Sequence, residues 1–446
     1  MQEDQARAIK NQPRFGGIFE NGDGFNRRIH LTSHMYDECF EQLQVFFHNG
    51  FNGATVGELE KRISSYLGEP YAIAMNSGTS AMHMAYKLAA RKAYGSDTLD
   101  GNRVFCSDMC PIEQAMPILY EDGIPTFIDV EDITYNMDPE CLERAFDIYP
   151  DTKIVVMNHL YGFPGQIKEI KKICEEHGAI LIENASESLG ARVDDKQIGS
   201  FGDIAVLDFG KDRIISGGSG GMLLIKDTAD VEIVRAWISM SRRNLPWNHT
   251  ETIGYDYQMN DLSAAMILAQ LDHIDEIIAS KRQIYETYLE NLNEEVAYLL
   301  RTASGIIPNY WMPVMMCDSC ICAEEIRSEH GYSYKDIHGT LSPMEIVDAL
   351  DAFGADAAPV YMAMSEQPVF KGCELITMDE VMESGIPYDS PKQLFISGTG
   401  RDASKSCVCL PSDMAMTLEE QEKVIEIVHS AFNKADIDRK AFMAVS

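Results

Sequence analysis

Short apolar runs alternate with helix-spaced apolar positions along more than half of this chain, and that alternation constrains its fold most. Residues 72–75, 104–106, 126–128, 154–157, 180–182, 204–208 and 222–225 read as strands. Between them fall helical patterns, among them Val56, Leu59, Ile63 and Leu67, and the stretch 166–177. Such a pattern indicates a sheet of mostly parallel strands joined by helical crossovers, an α/β architecture. A long helix predicted from Leu262 to about Glu290 leads into a part that mixes strands and helices. That part ends in an amphipathic helix over 418–432. Three regions are expected: an arm with a short helix (1–50), a large domain (51–290) and a smaller C-terminal α+β domain (291–446).

The bulk numbers narrow the function classes. The chain has 446 residues, 45% of them apolar, and a net charge of −33. That charge repels nucleic acid and anionic membranes, so neither is expected as a partner. No apolar run reaches the length of about 20 residues needed to span a bilayer, and the first residues lack a signal peptide's basic and apolar regions. A cytoplasmic location is expected. Eleven cysteines are too few for a disulfide scaffold in a chain of this length. Cys317, Cys320 and Cys322 form a CxxCxC cluster whose thiolates suit zinc or an iron–sulfur centre, but no fourth ligand lies nearby. The segment 310–316 before it reads as a strand, so the cysteines are expected simply to end it, with no metal bound.

Several motifs carry more than composition. Asn76-Ser77-Gly78-Thr79-Ser80 opens a helix after a strand, and a Gly-Thr turn there presents backbone N–H groups to an anion. The same residues also suit an ordinary capped helix. Further blocks are Thr126-Phe127-Ile128-Asp129-Val130, His159-Leu160-Tyr161-Gly162, Gly254-Tyr255, Gln367-Pro368-Val369-Phe370, and Gly202-Asp203 leading to the glycine-rich turn Gly217-Gly218-Ser219-Gly220-Gly221. Together they resemble the sugar aminotransferases of the DegT type, pyridoxal-phosphate (PLP) enzymes of fold type I, over about residues 28–435. The resemblance implies an aspartate-aminotransferase-like large domain with a mostly parallel seven-stranded sheet flanked by helices. It also implies a dimer, with each cleft completed by the neighbouring subunit.

The chain departs from that family at the positions that hold the cofactor. Arg213 falls where the resemblance places the Schiff-base lysine, and a guanidinium stays protonated and offers no free amine. Asn184 replaces the aspartate that keeps the pyridine nitrogen protonated, which removes the electron-sink strength of the ring. Pro111 stands for the stacking aromatic and Asp208 for a serine that binds the phosphate. Asp256 stands for an asparagine reaching the phosphate from the partner, and Gln258 for an arginine two residues on. The block from Ala358 to Ser365 lacks its basic groups.

The expected function is a divergent, PLP-independent homologue: a pseudoenzyme or a repurposed ligand-binding protein in nucleotide-sugar or polysaccharide biosynthesis, needing no cofactor. Gly78, Thr79, Ser80, Pro111, Asn184, Glu187, Asp208, Lys211, Arg213 and Asp256 are its candidate site residues. An Asp208–Arg213 salt bridge is favoured over a new catalytic role for either residue. The alternative is an active PLP-dependent nucleotide-sugar transaminase with Lys211 as the Schiff-base lysine. The expected assembly is a homodimer, or a heterodimer with an active homologue.

Overall fold

The computed structural model describes residues 24–34, 40, 43–44, 46–48, 54–69, 71–243, 245–292, 297–302, 304–317, 325–328, 331–334, 342–379, 381–383 and 398–443. Most of the N-terminal arm, Cys320 and Cys322 lie outside them. The first half builds the expected alternation. Helix α1 (Ala54–Leu67) and strand β1 (Tyr71–Met75) are followed by α2 (Gly78–Tyr94), β2 (Arg103–Ser107), α3 (Ile112–Tyr120) and β3 (Ile124–Ile128). Then come α4 (Pro139–Ile148), β4 (Ile154–Asn158), α5 (Ile167–His177), β5 (Ile180–Asn184), β6 (Ile204–Asp208), β7 (Gly221–Ile225) and α6 (Thr228–Ile238).

The seven strands form one sheet in the order β1-β7-β6-β5-β4-β2-β3. Only β7 runs against both its neighbours; β2 to β6 pair in parallel. Alternate side chains enter two cores. Ile73, Val104, Val156, Ile182 and Val206 pack on one face, and Ala74, Phe105, Val155, Leu181 and Leu207 on the other. Burial on both faces explains why the strands read as unbroken apolar runs.

Two further strands extend this sheet to nine. β8 (Glu374–Ile376) pairs parallel with β3, and β9 (Val381–Glu383) pairs antiparallel with β8. The C-terminal third thus returns to the large sheet. A second, antiparallel sheet joins Ala297–Leu299, Val314–Cys317, Cys407–Cys409 and Ala358–Pro359, with the helices Pro343–Phe353 and Leu418–Met443 packed together beside it.

Two local expectations are corrected. The predicted long helix is two, α7 (Asp261–Leu271) and α8 (Ile274–Asn291). The ladder breaks where His273 N–H bonds the Gln270 carbonyl, one residue short of helical register. The strand predicted over 310–316 starts only at Val314, because Tyr310 sits in the left-handed region at φ 57°. There the Asn309 side chain accepts from Trp311 N–H at 2.9 Å and replaces a ladder bond.

Candidate functional site

The parallel strands end on one edge of the sheet, and the candidate residues gather there, as ligand sites do in open α/β sheets. Asn184 closes β5 and Asp208 closes β6, while Gly78 opens α2 just after β1. A capping box shapes that opening: Ser77 Oγ accepts from Ser80 N–H, and Ser80 Oγ accepts from Ser77 N–H. Ser80 therefore caps the helix, and Thr79 is half-buried beside it. Glycine is required at two contacts. A Cβ on Gly78 would lie 2.6 Å from Asp208 Cβ, and one on Gly221 would lie 2.1 Å from the Ser77 carbonyl oxygen.

Arg213 is the centre of the site. Its side chain is almost entirely buried (10% exposed) and holds two carboxylates. Nε donates to Asp208 Oδ2 at 2.7 Å, and Nη1 donates to Glu187 Oε1 at 3.1 Å. The guanidinium also lies 5.3 Å from the centre of the Trp311 ring. Burial disfavours its charge, but Tyr361, Asp208 and Glu187 outweigh this and hold its pKa well above the ordinary value. The salt bridge expected between Asp208 and Arg213 is thus present. The main chain is clamped as well: His34 Nε2 lies 2.7 Å from the Arg213 carbonyl oxygen, and Trp311 Nε1 donates to the Asp212 carbonyl at 2.6 Å.

Glu187 is buried and fully engaged. Besides Arg213, it accepts from the Tyr361 hydroxyl and the Tyr161 backbone N–H, each at 2.7 Å. Burial raises its pKa, with Arg213 the strongest opposing influence. Tyr161 stacks between Trp311 and Tyr361 at 6.2 and 5.3 Å, and its hydroxyl accepts from Tyr361 N–H. Asn184 belongs to a separate neutral chain. Ser186 Oγ donates to Asn184 Oδ1, Asn184 Nδ2 to Gln114 Oε1 at 2.8 Å, and Gln114 Nε2 to Asn158 Oδ1 at 3.3 Å.

The structure brings Gly78, Pro111, Asn184, Asp208 and Arg213 to one small cavity, with Gln114 and Ser186 beside them. Glu187 joins them through Arg213. Four other candidates do not line the cavity: Thr79 and Ser80, which stay in the first turn of α2, and Lys211 and Asp256. Lys211 was expected to line the vacated pocket, but its side chain is 83% exposed and its Nζ lies 3.8 Å from Asp212 Oδ2. The tight turn that bonds Arg213 N–H to the Gly210 carbonyl turns Lys211 outward and Arg213 inward. Asp256 is exposed, with its carbonyl accepting from Asn76 Nδ2 at 3.1 Å. Cys317 is buried, and no cluster suited to a metal occurs among the described residues. Sequence reasoning missed Gln114, Trp311 and the hydroxyl of Tyr361. They come from distant segments, and only the departure of the 358–365 block from the resemblance marked Tyr361.

The fold and the position of the site define a protein built like the fold-type-I aminotransferases. The profile of the DegT/DnrJ/EryC1/StrS aminotransferase family matches residues 38–374, and the chain belongs to that family. It is 30% identical over 394 residues to the putative pyridoxal phosphate-dependent aminotransferase EpsN of Bacillus subtilis, covering 87% of this chain and 90% of that protein. GDP-perosamine synthase of Caulobacter vibrioides is 29% identical over 326 residues, covering 71% and 79%. Among solved structures, aminotransferase TlmJ of Streptoalloteichus hindustanus superposes with a TM-score of 0.74 at 20% identity, covering 92% of this chain and 98% of that one.

The family implies PLP, and the residues present fit it poorly. Arg213 offers no amine, and both its sides are committed to carboxylates. Asn184 is a neutral amide already bonded to Gln114 and Ser186. Asp208 presses a carboxylate against the start of α2, whose N–H groups would otherwise suit an anion. The cavity among these side chains is about 10 Å³, space for about one water molecule.

Proposed function

We propose that this chain is a PLP-independent pseudoenzyme of the sugar aminotransferase family. In this reading it serves nucleotide-sugar or polysaccharide biosynthesis as a non-catalytic subunit in the cytoplasm. It pairs with a second copy or with an active homologue. One observation carries the reading: the guanidinium of Arg213, the residue that the resemblance aligns with the family's lysine, is buried and locked between Asp208 and Glu187. The electrostatics agree with it. Asp208, Glu187 and Arg213 together carry one net negative charge when ionised, so the site repels an aldehyde cofactor that brings a phosphate. The family relationship and the likeness to GDP-perosamine synthase support the pathway class.

The test is spectroscopic. Purified protein is incubated with PLP, desalted and scanned for the near-visible imine band. The reading expects no band. A band that survives desalting and disappears on borohydride reduction would overturn it, and peptide mapping would then show whether Lys211 carries the reduced adduct. Thermal shifts with nucleotide sugars, measured alongside, report whether the chain retains that ligand class.

A further inference from the structure

We propose that the Asp208 carboxylate is this chain's built-in anion. It fills an electropositive corner between the start of α2 and the buried Arg213, and keeps external phosphate groups out. This deepens the reading above by naming the residue that excludes anionic ligands.

Three observations converge on that corner. The first is the start of α2, a helix of 17 residues. Among the described residues no acceptor takes the N–H of Gly78 or Thr79, leaving two orphan donors at the positive end of the helix. The second is the guanidinium of Arg213, whose side chain is 10% exposed, which borders the same cavity and needs negative partners to sit there. The third is Asp208 itself. Its Oδ2 receives Arg213 Nε at 2.7 Å. Its Oδ1 lies 2.8 Å from where a Gly78 Cβ would be and accepts from Gly210 N–H at 3.1 Å. One carboxylate therefore pairs with the guanidinium and packs against the first residue of α2, although it accepts from neither orphan N–H. An external phosphate entering the corner would face that carboxylate at close range.

The consequence is a corner that carries its own anion. Removing the carboxylate should convert the self-filled corner into an anion site. The buried guanidinium and the two N–H groups would then share one vacated volume.

The test uses D208S and the isosteric D208N with inorganic phosphate as the probe. In chloride buffer both variants should unfold at lower denaturant than the wild type and recover on adding phosphate, while the wild type does not respond. At about 5 Å and an effective dielectric near 20, one carboxylate charge changes phosphate affinity by roughly a hundredfold per unit of phosphate charge. Calorimetry should show at least that gain for D208S over the wild type. The double variant D208S/R213A should lose the gain, since it removes the cation. If D208S folds poorly in chloride, its refolding yield in phosphate against chloride gives the same readout. Phosphate binding by D208S and D208N no tighter than by the wild type overturns the proposal, as does unchanged binding in the double variant. These outcomes are separate from the imine test: a wild-type protein without an imine but with unresponsive Asp208 variants leaves the pseudoenzyme reading standing and removes this one.

Discussion

Replacing Arg213 with alanine tests the electrostatic account of the site most directly, because it leaves two carboxylates facing each other without their cation. Glu187 is buried, and Asp208 has a side chain only 19% exposed. Breaking a buried ion pair from one side costs about 3–5 kcal/mol, most of it from the stranded charge. Glu187 can escape that cost by keeping its proton. Burial already raises its pKa above the ordinary 4.5, and Arg213 is the strongest influence holding it down. In R213A the folded-state pKa therefore moves further up. Between pH 4.5 and that value the folded state binds more protons than the unfolded chain, so stability falls as pH rises, by up to about 1.4 kcal/mol per pH unit. The loss should be about 3–5 kcal/mol at pH 8. It should shrink to about 2 kcal/mol at pH 5, where the lost hydrogen bonds and the contact with Trp311 dominate. R213K keeps the charge, but one ammonium cannot serve both carboxylates, so its loss should be about 1–2 kcal/mol at either pH. Urea unfolding at the two pH values reads all of this. An R213A loss that is equal at pH 5 and pH 8, or no larger than that of R213K, would refute the stranded-charge argument.

Three other perturbations follow from the same geometry. Tyr361→Phe removes the hydroxyl that donates to Glu187 at 2.7 Å but keeps the ring stacked on Tyr161; it should cost about 1–2 kcal/mol, and an unchanged urea midpoint would remove Tyr361 from the network. Gly221→Ala places a methyl group 2.1 Å from the Ser77 carbonyl oxygen, so β7 must move away from the start of α2; a loss above about 2 kcal/mol is expected, and a neutral effect in a melt would mean that the contact is looser than the structure shows. Lys281 is buried and donates to Thr32 Oγ1 at 3.0 Å and Ser412 Oγ at 3.1 Å; burial pushes its pKa down to about 7. The unfolded chain then binds the extra proton between pH 7 and about 10.5, so stability should rise with pH across that window, and Lys281→Met should flatten the rise; a slope unchanged in the variant would assign it to another group.

Much of the architecture was legible because the sheet is covered on both faces, which forces each strand to be apolar throughout and leaves the helices to carry the polar positions. The parts that escaped have weak or non-local signals. β8 spans only Glu374 to Ile376 and is a strand because β3 offers it an edge. The break between α7 and α8 has neither glycine nor proline to announce it. The site divides in the same way. Gly78, Asn184 and Asp208 could be picked out because each stands at a strand end or a helix start, where local sequence fixes position, and Arg213 because its loop follows β6 within a block that resembles the family's. Gln114, Trp311 and Tyr361 arrive by tertiary packing, and nothing near them in sequence ties them to Arg213.

Set against the family resemblance, Arg213 in place of an amine and Asp208 in place of a serine read as two separate losses. In the folded chain each makes the other tolerable. A buried guanidinium left without a carboxylate would cost several kcal/mol, and Asp208 supplies one. Together, with Glu187, the charges are paired and every bond has a direction. Such a compensated site resists partial reversal. Restoring the amine with R213K leaves Asp208 in place and the phosphate corner filled, and restoring the serine with D208S leaves no amine. Only R213K/D208S supplies both features at once. That double variant should therefore gain more PLP binding, read as imine absorbance, than the two single variants combined. An additive gain would mean that the two positions act independently and that the ion pair is not what closes the cleft.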